Sequence, residues 1–279
     1  MNAAYWRITD NCNIKCGHCC FSCEPGGHTI SSEDAEKVVE HFPLNLDYLT
    51  ISGGEIFTVK PLLYDVLSSI KEKEFPKLEV ILQTNGFWVK NPEQTYEEIK
   101  KLYDIIGFHK ISFASKDRYH INQGIRPYKL VKGGNSPVGL AEKKLRKNNT
   151  PVEISLSGSN WVYPFGRGKS RPKKELTYQS YCAVISSLEK GRETEFIDPH
   201  GNVYLCCWQM PYSIGSAIET PFEELFESAR KDAIIETLNM EGLQGVVNVF
   251  NVPVNLNLNN PCASCTEVFE RLNKAEQRK

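Results

Sequence analysis

The chain has no excess of either charge: 33 Lys and Arg stand against 34 Asp and Glu, for a net charge of -1. With a sequence pI near 6.6 it lacks the basic footprint of a nucleic-acid-binding domain, so RNA and DNA are not expected partners. No apolar run approaches membrane-spanning length, and the start, Met1-Asn-Ala-Ala-Tyr5, has neither the basic segment nor the apolar core of an export signal. The expectation is a cytoplasmic protein without membrane association. In that compartment the ten cysteines read as metal ligands, not as disulfides. Repeats of solenoid period and long low-complexity segments are also missing, which excludes stacked-repeat architectures.

What is present suffices for a full core. A chain of 279 residues, 41% of them hydrophobic, allows one large domain or one medium domain with a smaller appendage, and its motifs favour the second. Its first half alternates short apolar runs with amphipathic stretches, the pattern of βα units around a parallel sheet. Strands are predicted at Ala4 to Thr9, Tyr48 to Ser52, Leu78 to Gln83, His109 to Ser115 and Val152 to Ser157. Helices are predicted from Ser31-Ser32-Glu33-Asp34 to Phe42, Lys60 to Lys73, Pro92 to Ile106 and Leu140 to Lys147. The basic stretch Arg167-Gly-Lys169-Ser-Arg171-Pro-Lys173-Lys174 reads as a solvated linker. Further on, Asp198-Pro-His-Gly201 between apolar residues signals a hairpin, with Cys206 at the end of its second strand. Val246 to Asn259, alternating Val or Leu with Asn, reads either as an edge segment or as an irregular loop broken by Pro253.

The most informative residues are Cys12-Asn-Ile-Lys-Cys16-Gly-His-Cys19. Three thiolates at this spacing can ligate three irons of a four-iron cubane and leave the fourth free to chelate a cofactor. Tetrahedral zinc is the alternative, with Cys20, Cys23, His18 or His28 as a fourth ligand. A zinc knuckle, however, gives no role to Ile51-Ser52-Gly53-Gly54-Glu55, where an apolar run ends in two glycines and a carboxylate.

Together the cysteine loop and Gly53-Gly54-Glu55 resemble the radical S-adenosylmethionine (SAM) superfamily, in which reductive cleavage of SAM gives a deoxyadenosyl radical. Thr84-Asn85-Gly86 and Ser115-Lys-Asp117 resemble its third- and fourth-strand elements. The resemblance implies an α/β fold: a partial (β/α)6 TIM-like barrel followed by a small twitch domain with a β-hairpin and helix. It implies SAM contacts from His18, Gly53, Gly54, Glu55, Thr84, Asn85, Ser115 and Asp117, and reduction by a flavodoxin or ferredoxin.

Cys182, Cys206, Cys262 and Cys265 resemble the ligand set of a twitch domain, the short form of the SPASM domain. That implies two [4Fe–4S] clusters, one binding SAM and one auxiliary, with residues 1–175 as barrel and 176–279 as twitch domain. No cysteine follows Cys265, so the second auxiliary cluster of a full SPASM domain is not expected. The vicinal Cys206-Cys207, with Gly-Gly-Glu-Ile-Phe and Asn-Gly-Phe-Trp, further resembles radical SAM peptide epimerases. There a cysteine returns hydrogen to the Cα face opposite the one attacked, and Cys207 matches that role. With the first cysteine at position 12, no winged-helix peptide-recognition domain is expected before the barrel, and recognition is expected at the barrel mouth and at Val246 to Asn259. A dehydrogenase of a small alcohol or sugar, with the auxiliary cluster as electron acceptor, is the alternative enzyme. A non-catalytic iron–sulfur electron-transfer protein is the alternative outside enzymology.

Overall fold

The computed structural model describes residues 3–114, 135–157, 166–170, 194–206, 212–254, 256 and 261–276. Ser115, Asp117, Cys182 and Cys207 lie outside the described residues. Five parallel strands come first: β1 (Ala3–Arg7), β2 (Tyr48–Ser52), β3 (Glu79–Thr84), β4 (Lys110–Ala114) and β5 (Glu153–Ser157). The crossovers between them carry α1 (Ser32–His41), α2 (Lys60–Glu72), α3 (Pro92–Ile106) and α4 (Pro137–Lys147).

Three of these four helices start where a side chain satisfies their free N–H groups, whereas α2 has no side-chain cap and carries Pro61 in its first turn. Ser31 accepts from the Asp34 amide at 3.0 Å, Asn91 from Gln94 at 2.9 Å and Ser136 from Gly139 at 3.0 Å. Pro92 occupies the first turn of α3, and Gly107 at φ 66° ends that helix in the left-handed conformation only glycine adopts cheaply. Among the described residues, the fold is mixed α/β with a parallel-dominated sheet, as the sequence predicts.

The strand ladders divide the sheet into two faces. Trp6, Leu49, Ile51, Leu82, Ile111 and Phe113 point to the helices and are fully buried with Leu63, Leu67 and Ile99. The register places Tyr5, Arg7, Ser52, Gln83, Ser112 and Ser155 on the opposite face. There the Tyr5 hydroxyl donates to Gln83 Oε1 at 2.9 Å and shares a hydrogen bond with Ser52 Oγ at 2.7 Å, and Ser155 donates to Ser112 at 3.2 Å. Alternation of this kind gives one side to packing and the other to polar ligands.

The next strand, β6 (Thr194–Ile197), pairs in parallel with β1, not with β5. It turns back through Asp198–Gly201 into β7 (Asn202–Tyr204), which pairs antiparallel with it and with β8 (Gly215–Ser216). The predicted hairpin is therefore there. Its turn is closed by the Asp198 carboxylate, which accepts from the His200 amide at 2.9 Å, the Asn202 amide at 3.0 Å and the Tyr204 hydroxyl at 3.0 Å. The chain continues in α5 (Phe222–Arg230), α6 (Ala233–Val249) and α7 (Pro261–Glu276).

Two sequence expectations change. Val246 to Val249 are helical: they lie in the second of two helical stretches that α6 joins across a kink at Gly242 (φ 67°), and Val246 is fully buried. Helical burial overrides the apparent alternation. The head of the supposed linker, Gly166–Ser170, is a 3-10 turn packed on the cysteine loop.

Candidate metal centre

The cysteine loop leaves β1 and folds back along itself. Ile30 N–H donates to Ile8 O at 3.2 Å, Asp10 N–H to His28 O at 2.6 Å and Cys12 N–H to Glu24 O at 3.2 Å. Inside this closed loop Cys12, Ile14, Cys16 and Cys23 form a small apolar cluster separate from the main core, with Cys19 and Phe21 packed against it. Cys12 and Cys16 are 6% exposed and Cys23 is 3% exposed, whereas Cys19 and His18 are half-buried.

Cys23, which the sequence left without a role, is thus a member of this cluster. Its Sγ lies 3.5 Å from Asp10 Oδ1 and hydrogen-bonds to Cys19. The bond from Cys23 lowers the Cys19 thiol, and the same bond together with burial raises Cys23. Of the pair, Cys19 is the sulfur prepared to be a thiolate. Burial pushes the Cys12 thiol up to about 11, a cost removed by ligation, which deprotonates a coordinating thiol outright. Among the described residues no group of three or more Cys, His, Asp or Glu side chains is placed to hold a single metal ion. A four-iron cluster instead takes one thiolate per iron, and three cysteines on a single buried loop match that donor set.

Gly53-Gly54-Glu55 docks on the start of this loop. Gly54 N–H donates to Thr9 O at 2.7 Å and Glu55 N–H to Asn11 O at 2.9 Å. A Cβ on Gly53 would lie 2.6 Å from Thr9 O, and one on Gly54 2.5 Å from Asn11 O. The glycines therefore let the end of β2 lie against the backbone that carries Cys12. Gly54→Ala is expected to destabilise the protein by about 2 kcal/mol, as over-packing against rigid backbone does. Thermal unfolding of the metal-free protein should then show a Tm lower by roughly 4–8 °C. An unchanged Tm would refute the need for this close approach.

Glu55, 1% exposed, is the hub of the next layer. Its Oε1 accepts from Thr84 Oγ1 at 2.7 Å and Phe57 N–H at 3.1 Å, and its Oε2 from Asn85 N–H at 2.5 Å. Thr84 Oγ1 also accepts from Gly86 N–H and Trp88 Nε1, both at 3.0 Å. Asn85 Nδ2 donates to Asn13 Oδ1 at 2.8 Å and lies 4.0 Å from Cys12 Sγ. The structure thus gathers Glu55, Thr84 and Asn85 into one network reaching the first cysteine. Sequence reasoning assigned these three side chains directly to SAM; their hydrogen bonds tie the ends of β2 and β3 to the cysteine loop.

The residue that sequence reasoning missed is Arg167. Its Nε donates to Cys16 O at 2.9 Å, its Nη1 to Ser22 O at 2.6 Å, and its Nη2 to Cys23 O. Only its place in a basic stretch marked it, and that signal pointed to solvent.

In the second cysteine set, Cys206 follows β7 and is half-buried, and Cys262 and Cys265 lie one turn apart in α7. Cys206 and Cys265 both pack against the main core. Cys182, their expected fourth partner, lies outside the described residues.

Comparison with known proteins agrees with this layout. The family model of the radical SAM superfamily matches residues 6–122, and that of the SPASM iron–sulfur cluster-binding domain matches residues 189–266. YydG of Bacillus subtilis (strain 168), named for peptide biosynthesis, is 22% identical over 304 residues, covering 96% of this chain and 92% of YydG. AlbA of the same organism, an antilisterial bacteriocin subtilosin biosynthesis protein, is 24% identical over 269 residues, covering 81% of this chain and 59% of AlbA. Among solved structures, BtrN in complex with AdoMet and 2-DOIA aligns with TM-score 0.54 at 15% identity, covering 89% of each chain. Native anSMEcpe with bound AdoMet and Cp18Cys peptide aligns with TM-score 0.53 at 14% identity, covering 99% of each. With both domain signatures on a sheet of this fold, the chain is a radical SAM enzyme with a SPASM-type iron–sulfur domain, and its cofactors are SAM and iron–sulfur clusters.

Proposed function

We propose that this enzyme is a peptide epimerase, converting an L-residue of a ribosomally made peptide to its D-form with Cys207 as hydrogen donor. The peptide half of the proposal is supported by YydG and AlbA, both named for peptide biosynthesis. The epimerase half rests on Cys206-Cys207 following β7, a strand in the same sheet as the strand that delivers the cysteine loop. Phe21 of that loop stacks on Phe196 of β6 at 5.2 Å, and Phe196 meets Tyr204 of β7 at 6.0 Å. This ring series runs from Cys19 and Cys20 to the strand that ends just before the vicinal pair.

In the proposal, Cys12, Cys16 and Cys19 hold the SAM-binding cluster, and Cys182, Cys206, Cys262 and Cys265 hold the auxiliary one. SAM supplies, when bound, the radical that removes a Cα hydrogen. The chain's own residues orient the peptide and return the hydrogen. Burial raises the Tyr5 phenol, so its proton stays in place as a hydrogen-bond donor beside Ser52 and Gln83. This polar face offers partners to an otherwise unsatisfied peptide amide. A planar Cα radical has no handedness, and the Cys207 S–H, meeting it from the other face, fixes the D-configuration. The sulfur then regains its hydrogen by taking one proton from solvent and one electron from the reductant, a flavodoxin or ferredoxin. The proposal divides the chain near residue 175 into barrel and twitch domain, with β6 extending the barrel sheet alongside β1.

Reconstituted enzyme should be given SAM, reductant and a peptide encoded beside its gene in deuterated water, without oxygen. The expected product carries one deuteron at a D-residue, read by mass spectrometry and chiral amino-acid analysis. Loss of two hydrogens without inversion would instead mean dehydrogenation and would sink the proposal.

A further inference from the structure

The segment following β5 touches a part of the molecule that its sequence gives no reason to expect. Gly166 stands at φ +49°, and a Cβ there would lie 2.4 Å from Cys20 O and 2.8 Å from Cys19 O. The next amide, Arg167 N–H, donates to Cys19 O at 3.0 Å. The guanidinium then spans the loop, bonding the carbonyls of Cys16, Ser22 and Cys23 and lying 3.6 Å from Glu24 Oε2. Glu24 itself holds Lys15 and accepts from the Cys12 amide through its carbonyl.

These bonds have a common geometry. Cys16 O and Cys19 O belong to two proposed cluster ligands, and Ser22 O and Cys23 O lie on the returning limb of the loop. One planar side chain with five N–H donors joins the two limbs; a lysine ammonium, a point donor on a flexible stem, cannot hold three separated carbonyls in a plane. Glycine at 166 is what brings the backbone close enough. Carbonyl oxygens buried beside thiolates repel them electrostatically, and the cation that binds those carbonyls offsets the repulsion.

We infer that Gly166-Arg167 is a clamp on the SAM-binding cluster, with Arg167 a positioning residue that fixes the spacing of Cys16 and Cys19 and so the cluster's access to SAM. This inference rests on Cys12, Cys16 and Cys19 as ligands, and it holds whatever the substrate. Loss of an outer-layer partner of a metal ligand typically costs ten- to a hundredfold in metal affinity.

The test compares wild type with Arg167→Ala, Arg167→Lys, Gly166→Ala and, as control, Cys16→Ala. In metal-free protein, hydrogen exchange of residues 12–24 should quicken in all three clamp variants. After reconstitution, iron loss to a ferrous chelator should be about tenfold faster or more, and the SAM-induced change in the reduced cluster's EPR spectrum should weaken. Arg167→Lys should not restore either signal. Wild-type loop exchange, iron retention and SAM response in Arg167→Ala would overturn the inference. So would faster loop exchange with unchanged iron retention and SAM response, which confines Arg167 to holding the loop. If Arg167→Ala and Arg167→Lys both lose the thermal unfolding transition of the metal-free protein, Arg167 serves the fold and the inference also falls. Cys16→Ala separates the two readings: a full SAM-induced EPR change in that variant would refute the ligand set itself, independently of the clamp.

Discussion

Cys207→Ala is expected to abolish formation of the D-residue while the enzyme still converts SAM to 5′-deoxyadenosine. Epimerisation needs one group on each face of the reacting carbon, and the substitution removes the group on the return side alone. Cys12, Cys16 and Cys19, on the loop after β1, are untouched. Without the S–H donor, a carbon radical in the polar site has only solvent O–H bonds, which are much stronger, to take hydrogen from. A fall in D-product of about a thousandfold follows, or ~4 kcal/mol in barrier terms. Chiral analysis of the peptide and chromatography of 5′-deoxyadenosine, run on the same samples, read the two quantities separately. A variant that still makes D-residues at the wild-type rate would remove Cys207 from the reaction. Cys206→Ala, its neighbour, should behave differently: Cys206 is a proposed ligand of the auxiliary cluster, so its loss should lower the iron content, whereas Cys207→Ala should leave iron unchanged.

Much of the barrel is legible in local patterns. Tyr48–Ser52 and Pro92–Ile106 fall where the sequence places them, since a short β-rich run and an Asn-Pro start are signals contained within their own residues. The Asp198–Gly201 turn is legible for the same reason: an aspartate that accepts from amides two and four residues on, followed by a glycine at φ 80°, encodes its own hairpin. Pairing of β6 with β1 is not local. Nothing in Thr194–Ile197 names its partner, and the parallel neighbour is nearly two hundred residues away in the chain. The site divides in the same way. Cysteine spacing and Gly-Gly-Glu are patterns of side-chain type and can be read. Arg167 acts on main-chain carbonyls, which every residue carries, so no sequence pattern announces its partners. Glu55 was legible as important, and its bond to Phe57 N–H is a local cap, but its bonds to Thr84 and Asn85 were not legible, because those partners come from a neighbouring strand and from the turn that follows that strand.

The most severe loss should come from the cysteine loop, and there the outcome separates four sulfurs that burial alone ranks misleadingly. Cys12→Ala, Cys16→Ala and Cys19→Ala should each reduce 5′-deoxyadenosine formation by about a thousandfold or more, ~4 kcal/mol, with or without peptide. Cys23→Ala should keep it within about tenfold. By burial the trio would be Cys12, Cys16 and Cys23, since Cys19 is the more exposed. Hydrogen bonding argues for the other set. The hydrogen bond to Cys19 and burial, with the Asp10 carboxylate 3.5 Å from Cys23 Sγ adding to them, keep the Cys23 proton on sulfur. Cys23 thus serves Cys19 as a hydrogen-bond donor, and hydrogen bonds to ligand sulfurs tune a cluster's potential. The Cys23→Ala variant should therefore retain its iron and shift the cluster's midpoint potential downward, because a thiolate stripped of its donor stabilises the oxidised state. Redox titration followed by EPR measures that shift. Full activity in Cys19→Ala together with loss in Cys23→Ala would reverse the assignment and make the ligand set Cys12, Cys16 and Cys23.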